Sequence, residues 1–169
     1  MVVQAVADMS AAVHTAIIGC GNPNRSDDGL GPAVAARLRD MNLPPGAAVF
    51  DAGTDGMAVM YRARGVERLI IVDAKVPEGN PGAIYQVPGD ILQAPPQHSL
   101  NLHDFRWENA LYAGRMIYGE AFPGDVSVFL VEAESLALGL GLSPAVEAAA
   151  GRLAEQIAAL VAPEPAEAP

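Results

Sequence analysis

The chain alternates between short aliphatic runs and longer stretches in which apolar residues recur every three or four positions. Ala16-Ile17-Ile18 runs into Gly19-Cys20-Gly21-Asn22, and Leu69-Ile70-Ile71-Val72 runs into Asp73. Short unbroken runs closed by glycine or a carboxylate suit strands buried on both faces of a parallel sheet. The predicted strands are His14–Gly19, Ala47–Asp51, Arg68–Val72, Ala83–Val87 and Val126–Val131, with Asp73 at the end of the third. Ala83–Val87 alternates, which suits a short antiparallel strand.

Between these runs the period changes to that of a helix. After Asp28, one face carries Leu30, Ala33, Val34, Leu38 and Met41, with Pro32 in the first turn and Pro44-Pro45-Gly46 as the stop. A short helix is expected from Gly53-Thr54-Asp55-Gly56 to Arg64. Residues 88–103, with Pro88, Gly89, Pro95 and Pro96, read as a long surface loop. The next helix is predicted from Asp104 to Tyr118, with Trp107, Ala110, Leu111, Gly114 and Ile117 inward. Ser143 as N-cap and Pro144 in the first turn open the last helix, buried along Val146, Ala150, Leu153, Ile157 and Val161. Strands alternating with helices predict a single three-layer α/β domain over residues 1–162, a mostly parallel, five-stranded twisted sheet with helices on both faces. Residues 1–12 are apolar without a period and yield no element, and Pro163–Pro169 is expected to be a flexible acidic Pro/Ala tail.

Composition narrows the partners. With 169 residues, 51% of them hydrophobic and 18% charged, the chain has enough apolar material for one sizeable core. A formal net charge of −10 argues against nucleic acid as a partner. No apolar run approaches the length of a membrane span, so no membrane insertion is expected. The first dozen residues carry no Lys or Arg, which speaks against a secretory leader. The single Cys20 excludes an internal disulfide and suits a reducing compartment, so the expected location is cytoplasmic.

In an open α/β sheet, ligands bind in the crevice beyond the carboxyl ends of the strands. Asp27 and Asp28 follow the first predicted strand and Asp73 ends the third. In the usual doubly wound order these strands are neighbours, which brings Asp28 and Asp73 together. The plainer roles are a helix cap for Asp27 or Asp28 and a turn bond for Asp73. His103, in the long loop, adds a nitrogen donor, and an oxygen–oxygen–nitrogen set suits a divalent transition metal. A lone loop histidine, however, is usually just solvated. His14 lies at the opposite edge of the sheet, and His98 competes with His103 from mid-loop. The glycines of Gly19-Cys20-Gly21 do not make a dinucleotide fingerprint, because Asn24 stands where the third glycine belongs and Asp27 and Asp28 repel phosphate. The P-loop, the HExxH zinc helix and the GxSxG nucleophile elbow are absent. Cys20 as a nucleophile with His103 as base is a weaker reading than a small buried cysteine.

The segments GCGNPNRSDDGLGP (19–32), DAGTDG (51–56), LIIVDA (69–74), LHDF (102–105) and GLSPAVEAA (141–149), in this order, resemble the hydrogenase maturation proteases. These are the endopeptidases that trim the C-terminal extension of a nickel–iron hydrogenase large subunit. The resemblance runs over about residues 15–160. It implies that Asp28, Asp73 and His103 contact nickel that belongs to the substrate and is not permanently bound. It also makes Asp28 and Asp73 the candidate catalytic carboxylates, one of them activating a water. The implied partner is the large-subunit precursor, met by a monomer. Asn101-Leu102-His103 departs from the Ser-Pro-His frequent in the family, and Ala52 stands where glycine is usual. Asp51 would shape the cleft or touch the substrate. Two other readings use the same residues: a non-catalytic metal-sensing chaperone, and a hydrolase that holds its own zinc.

Overall fold

The computed structural model describes residues 12–96 and 106–163. Its sheet contains β1 (Thr15–Cys20), β2 (Ala47–Gly53), β3 (Arg68–Lys75), β4 (Ile84–Gln86) and β5 (Asp125–Glu132), in the order β2-β1-β3-β5-β4. β1 pairs in parallel with β2 and β3, and β3 pairs in parallel with β5. The short β4 lies antiparallel on β5 at one edge. The helices are α1 (Leu30–Arg39), α2 (Gly56–Ala63), α3 (Gly89–Gln93), α4 (Trp107–Tyr118) and α5 (Pro144–Val161).

The pleat sorts each aliphatic run onto two faces. Ala16, Ile18, Leu69, Ile71 and Val128 turn to one side and pack with Val59, Met60 and Ala63 of α2 and Ala110 and Leu111 of α4. Ile17, Ile70, Val72, Phe129 and Val131 turn to the other and meet Leu30, Val34 and Leu38 of α1 and Val146, Leu153 and Ile157 of α5. Each fully buried Ile or Leu contributes about 1.5–3 kcal/mol. The central strands are therefore apolar throughout because both of their faces are covered. This is the expected three-layer α/β fold.

Several boundaries differ from those the sequence predicts. Asp73 lies inside β3, not at its end, because β5 pairs with β3 as far as Lys75 whereas β1 stops at the Gly19–Val72 pair. Asp73 thus sits one position past the last pair with β1, where β3 has lost that neighbour. Within the predicted loop 88–103, Gly89–Gln93 is helical, and Leu92 is tucked into the core beside α4. Ile117, expected inward, is 64% exposed. Its place is taken by Phe122, which a 3-10 turn at Gly119–Ala121 folds back against Gly114. The predicted start of α4 at Asp104 and the tail residues 164–169 lie outside the described residues.

Candidate active site

β1 leads into a loop that doubles back on itself. Gly21 has φ +131°, and a Cβ there would sit 1.8 Å from the carbonyl oxygen of Asp28. Its N–H donates to the carbonyl of Gly53 at 2.8 Å, joining the loop after β1 to the last residue of β2. Glycine is required by both the conformation and the close approach. Ser26–Gly29 then forms a 3-10 turn before α1.

The two adjacent carboxylates on that turn point to different tasks. Asp28 is half-buried and accepts the N–H of Asn22 at 3.0 Å through Oδ2. Asp27 is fully buried and accepts from Glu134 N (2.8 Å), Ser135 N (3.2 Å), Ser143 N (2.7 Å) and Ser143 Oγ (2.9 Å). Neither caps a helix: Gly29 is the N-cap residue of α1, and Asp28 and Asp27 stand one and two positions ahead of it. The helix cap expected from Asp27 or Asp28 is thereby corrected. The side chain of Ser143 likewise makes no cap bond at α5 and donates to Asp27 instead.

Asp73 is 4% exposed, and its Oδ1 accepts the N–H of Ala74 at 2.8 Å. Nη2 of Arg106 stands 3.9 Å from its Oδ2. Burial pushes the Asp73 carboxyl up to about 7, against the opposing pull of the Arg106 guanidinium and the Ala74 N–H, and the charge of Asp28 adds to the rise. Asp28 and Asp73 thus lie within electrostatic reach of each other. Both line a cleft of about 310 Å³ together with Cys20, Arg25, Asp55, Arg106 and Trp107.

The neighbours have identifiable work. Burial, and then the charge of Asp73, push the Cys20 thiol up, so it is held as a neutral small side chain and not as a nucleophilic thiolate. Asp51 turns its Oδ1 to the N–H of Gly53 at 2.9 Å, within the last residues of β2. Asp55 caps α2, accepting from Met57 N at 2.9 Å and Ala58 N at 3.2 Å, while also lining the cleft. Its position before Gly56 and a helical stretch was the available sequence signal. Arg25 was present within the quoted motif, but nothing in the sequence pattern singled out Arg106.

His103 lies outside the described residues, as do His98 and Asp104. Among the described residues, no three His, Cys, Asp or Glu side chains gather as a metal-holding group. His14 pairs with Glu67 at 3.6 Å, ahead of β1 and away from the cleft. What the described site offers is a pair of interacting carboxylates beside two guanidinium-bearing residues. Such a pair can donate oxygens to a divalent cation or exchange a proton with a water. No described helix is long and apolar enough to cross a membrane.

Comparison with known proteins gives a consistent picture. A family model for hydrogenase maturation proteases matches residues 32–160. The hydrogenase 2 maturation protease of Escherichia coli is 30% identical over 145 residues, covering 85% of this chain and 87% of its own. A proposed hydrogenase maturation protease of Methanocaldococcus jannaschii is 34% identical over 90 residues, and the match spans 52% of this chain and 58% of that protein. Among solved structures, a hydrogenase maturating endopeptidase from Escherichia coli superposes with a TM-score of 0.74 at 27% identity, covering 88% of this chain and 91% of that one.

Proposed function

This chain belongs to the hydrogenase maturation protease family and so is a peptidase; on that premise we propose that it removes the C-terminal extension of a nickel–iron hydrogenase large-subunit precursor after nickel insertion. Asp28 and Asp73, joined by His103, read the nickel that the precursor brings. The observation that carries this reading is the meeting of Asp28 and Asp73 in one cleft, from the turn after β1 and from the stretch of β3 that outruns β1. Two carboxylates at an open cleft suit a cation that arrives with other ligands already in place.

The chemistry asked of the site is hydrolysis of a peptide bond next to that cation. One carboxylate takes a proton from the attacking water while the other holds the metal-bearing segment in position. Arg106, on the open side of Asp73, balances negative charge in the cleft before substrate arrives.

The test uses the purified protein with nickel-loaded and nickel-free precursor, followed by mass spectrometry of the products. Loss of a C-terminal peptide from the loaded form alone is the expected result. Asp28→Asn keeps the size of the side chain and removes its charge, and it is expected to slow cleavage of the loaded form by roughly 100-fold or more. Equal cleavage of both precursors, or full activity in Asp28→Asn, would refute metal reading by this residue. A stable complex without cleavage would favour the chaperone reading.

A further inference from the structure

We propose that the loop of residues 134–143 is the dock for the folded body of the protein substrate, with Leu138 and Leu140 inserting into an apolar recess beside the segment to be cut. This rests on the proposed function above and identifies the surface by which the same site recruits its partner.

Leu138 and Leu140 are each 85% exposed, the most exposed of the large apolar side chains described. They take no part in either core cluster. Leucines at a loop tip would ordinarily be carried on a mobile segment. This loop is instead fastened through residues 134–137, 139 and 143 to the turn that precedes α1. The N–H of Ser26 donates to Gly139 O at 2.8 Å, and the N–H of Gly139 donates to Asn24 O at 3.0 Å. Ser26 Oγ donates to Ala137 O at 2.9 Å, and Nε of Arg25 donates to Leu136 O at 3.1 Å. The buried Asp27 carboxylate holds both ends of the loop through Glu134, Ser135 and Ser143. Ser26 has φ +52°, the one positive value at a non-glycine residue among those described, so the turn is bent to meet the loop.

A rigid display of two leucines has the form of a binding anchor: the apolar surface is exposed, and little conformational freedom is left to lose on association. Its position indicates the partner. Arg25 both grips the loop and lines the cleft, and Asp27 is bonded to the next residue, Asp28, which lines it too. Gly139, which stands between the two leucines, is bridged to Arg25 of the cleft wall, so a partner seated on the leucines lies beside the residue that borders the site. A second copy of this chain seated there would obstruct the cleft, whereas a substrate must be there. The net charge of −10 disfavours an anionic membrane surface as the occupant.

The deciding experiment compares the wild type with Leu138→Ser/Leu140→Ser, using the nickel-loaded large-subunit precursor as the probe. Both side chains are exposed, so the variant should melt like the wild type. Expected is a rise of roughly 10- to 100-fold in KM and in the Kd measured by surface plasmon resonance, with kcat within about twofold. Leu138→Met/Leu140→Met, which keeps the apolar volume, should restore both. Unchanged KM and Kd in the serine variant overturn the dock while leaving the peptidase reading intact. A wild type that binds the precursor but never cuts it removes the proposed reaction, and Kd still decides the dock. Binding of neither protein overturns both. Sedimentation showing a wild-type dimer that the serine substitutions dissolve would assign the leucines to self-association and end the proposal.

Discussion

Asp27 and Asp28 are neighbours in sequence with opposite surroundings. Asp28 faces the cleft, while Asp27 is enclosed and accepts four hydrogen bonds, three from backbone N–H groups. Replacing Asp27 by Asn turns an amide donor toward a ring of donors. The cost of a buried unmatched group is about 1–3 kcal/mol. Asp27→Asn is therefore expected to lower the denaturation midpoint and to speed amide hydrogen exchange at residues 134–143, while exchange in β1 and β3 stays slow. Asp73 carries the reverse relation to stability. Its folded carboxyl titrates near 7 against an ordinary value of 3.8, chiefly because it is buried. Below the ordinary value both folded and unfolded chains hold the proton, and the residue is neutral to stability. As pH rises toward 7 the unfolded chain gives up its proton first, and stability falls. Asp73→Asn is thus expected to leave the denaturation midpoint almost unchanged at pH 4 and to raise stability at pH 8 by up to a few kcal/mol, at the expense of cleavage.

Between elements, the decisive contact is that of α1 with the carboxyl ends of β1 and β3. A Cβ on Gly31 would come within 2.1 Å of Cys20 O and 2.7 Å of Val72 O, and one on Gly19 within 2.1 Å of Gly31 O. All of these are backbone atoms, so no rotamer change relieves the overlap. Gly31→Ala should cost about 3 kcal/mol or more, as overpacking against a fixed frame does. A thermal melt that stayed at the wild-type midpoint would contradict this close approach. Element positions were legible in the sequence wherever a strand is covered on both faces, because burial leaves an unbroken aliphatic run. Their ends were less legible, since β3 continues to Lys75 through its pairing with β5, a partner distant in sequence. The helix Gly89–Gln93 was hidden by its five-residue length between prolines. The inward place given to Ile117 followed from helical period, which cannot foresee Phe122 returning over Gly114.

At the scale of the whole molecule, the strand order was enough to bring Asp28 and Asp73 to one cleft. That convergence follows from topology, and the sequence carried it. Partners set by long-range contacts were not legible: the N–H groups that satisfy Asp27 lie 107 to 116 positions downstream. Arg106 likewise reaches Asp73 across the space between α4 and β3, which no local pattern encodes. The same long reach imposes an order on synthesis. By the time Lys75 has left the ribosome, β1, β2 and β3 and both cleft carboxylates have been made. The carboxylate of Asp27 still has none of its donors, and contacts between such distant positions are the slow ones to form. The turn that carries Asp28 can therefore settle only after residues 134–143 have been translated. On the proposed reading, in which that turn carries a residue of the cutting site, a chain released before residue 143 is a silent one.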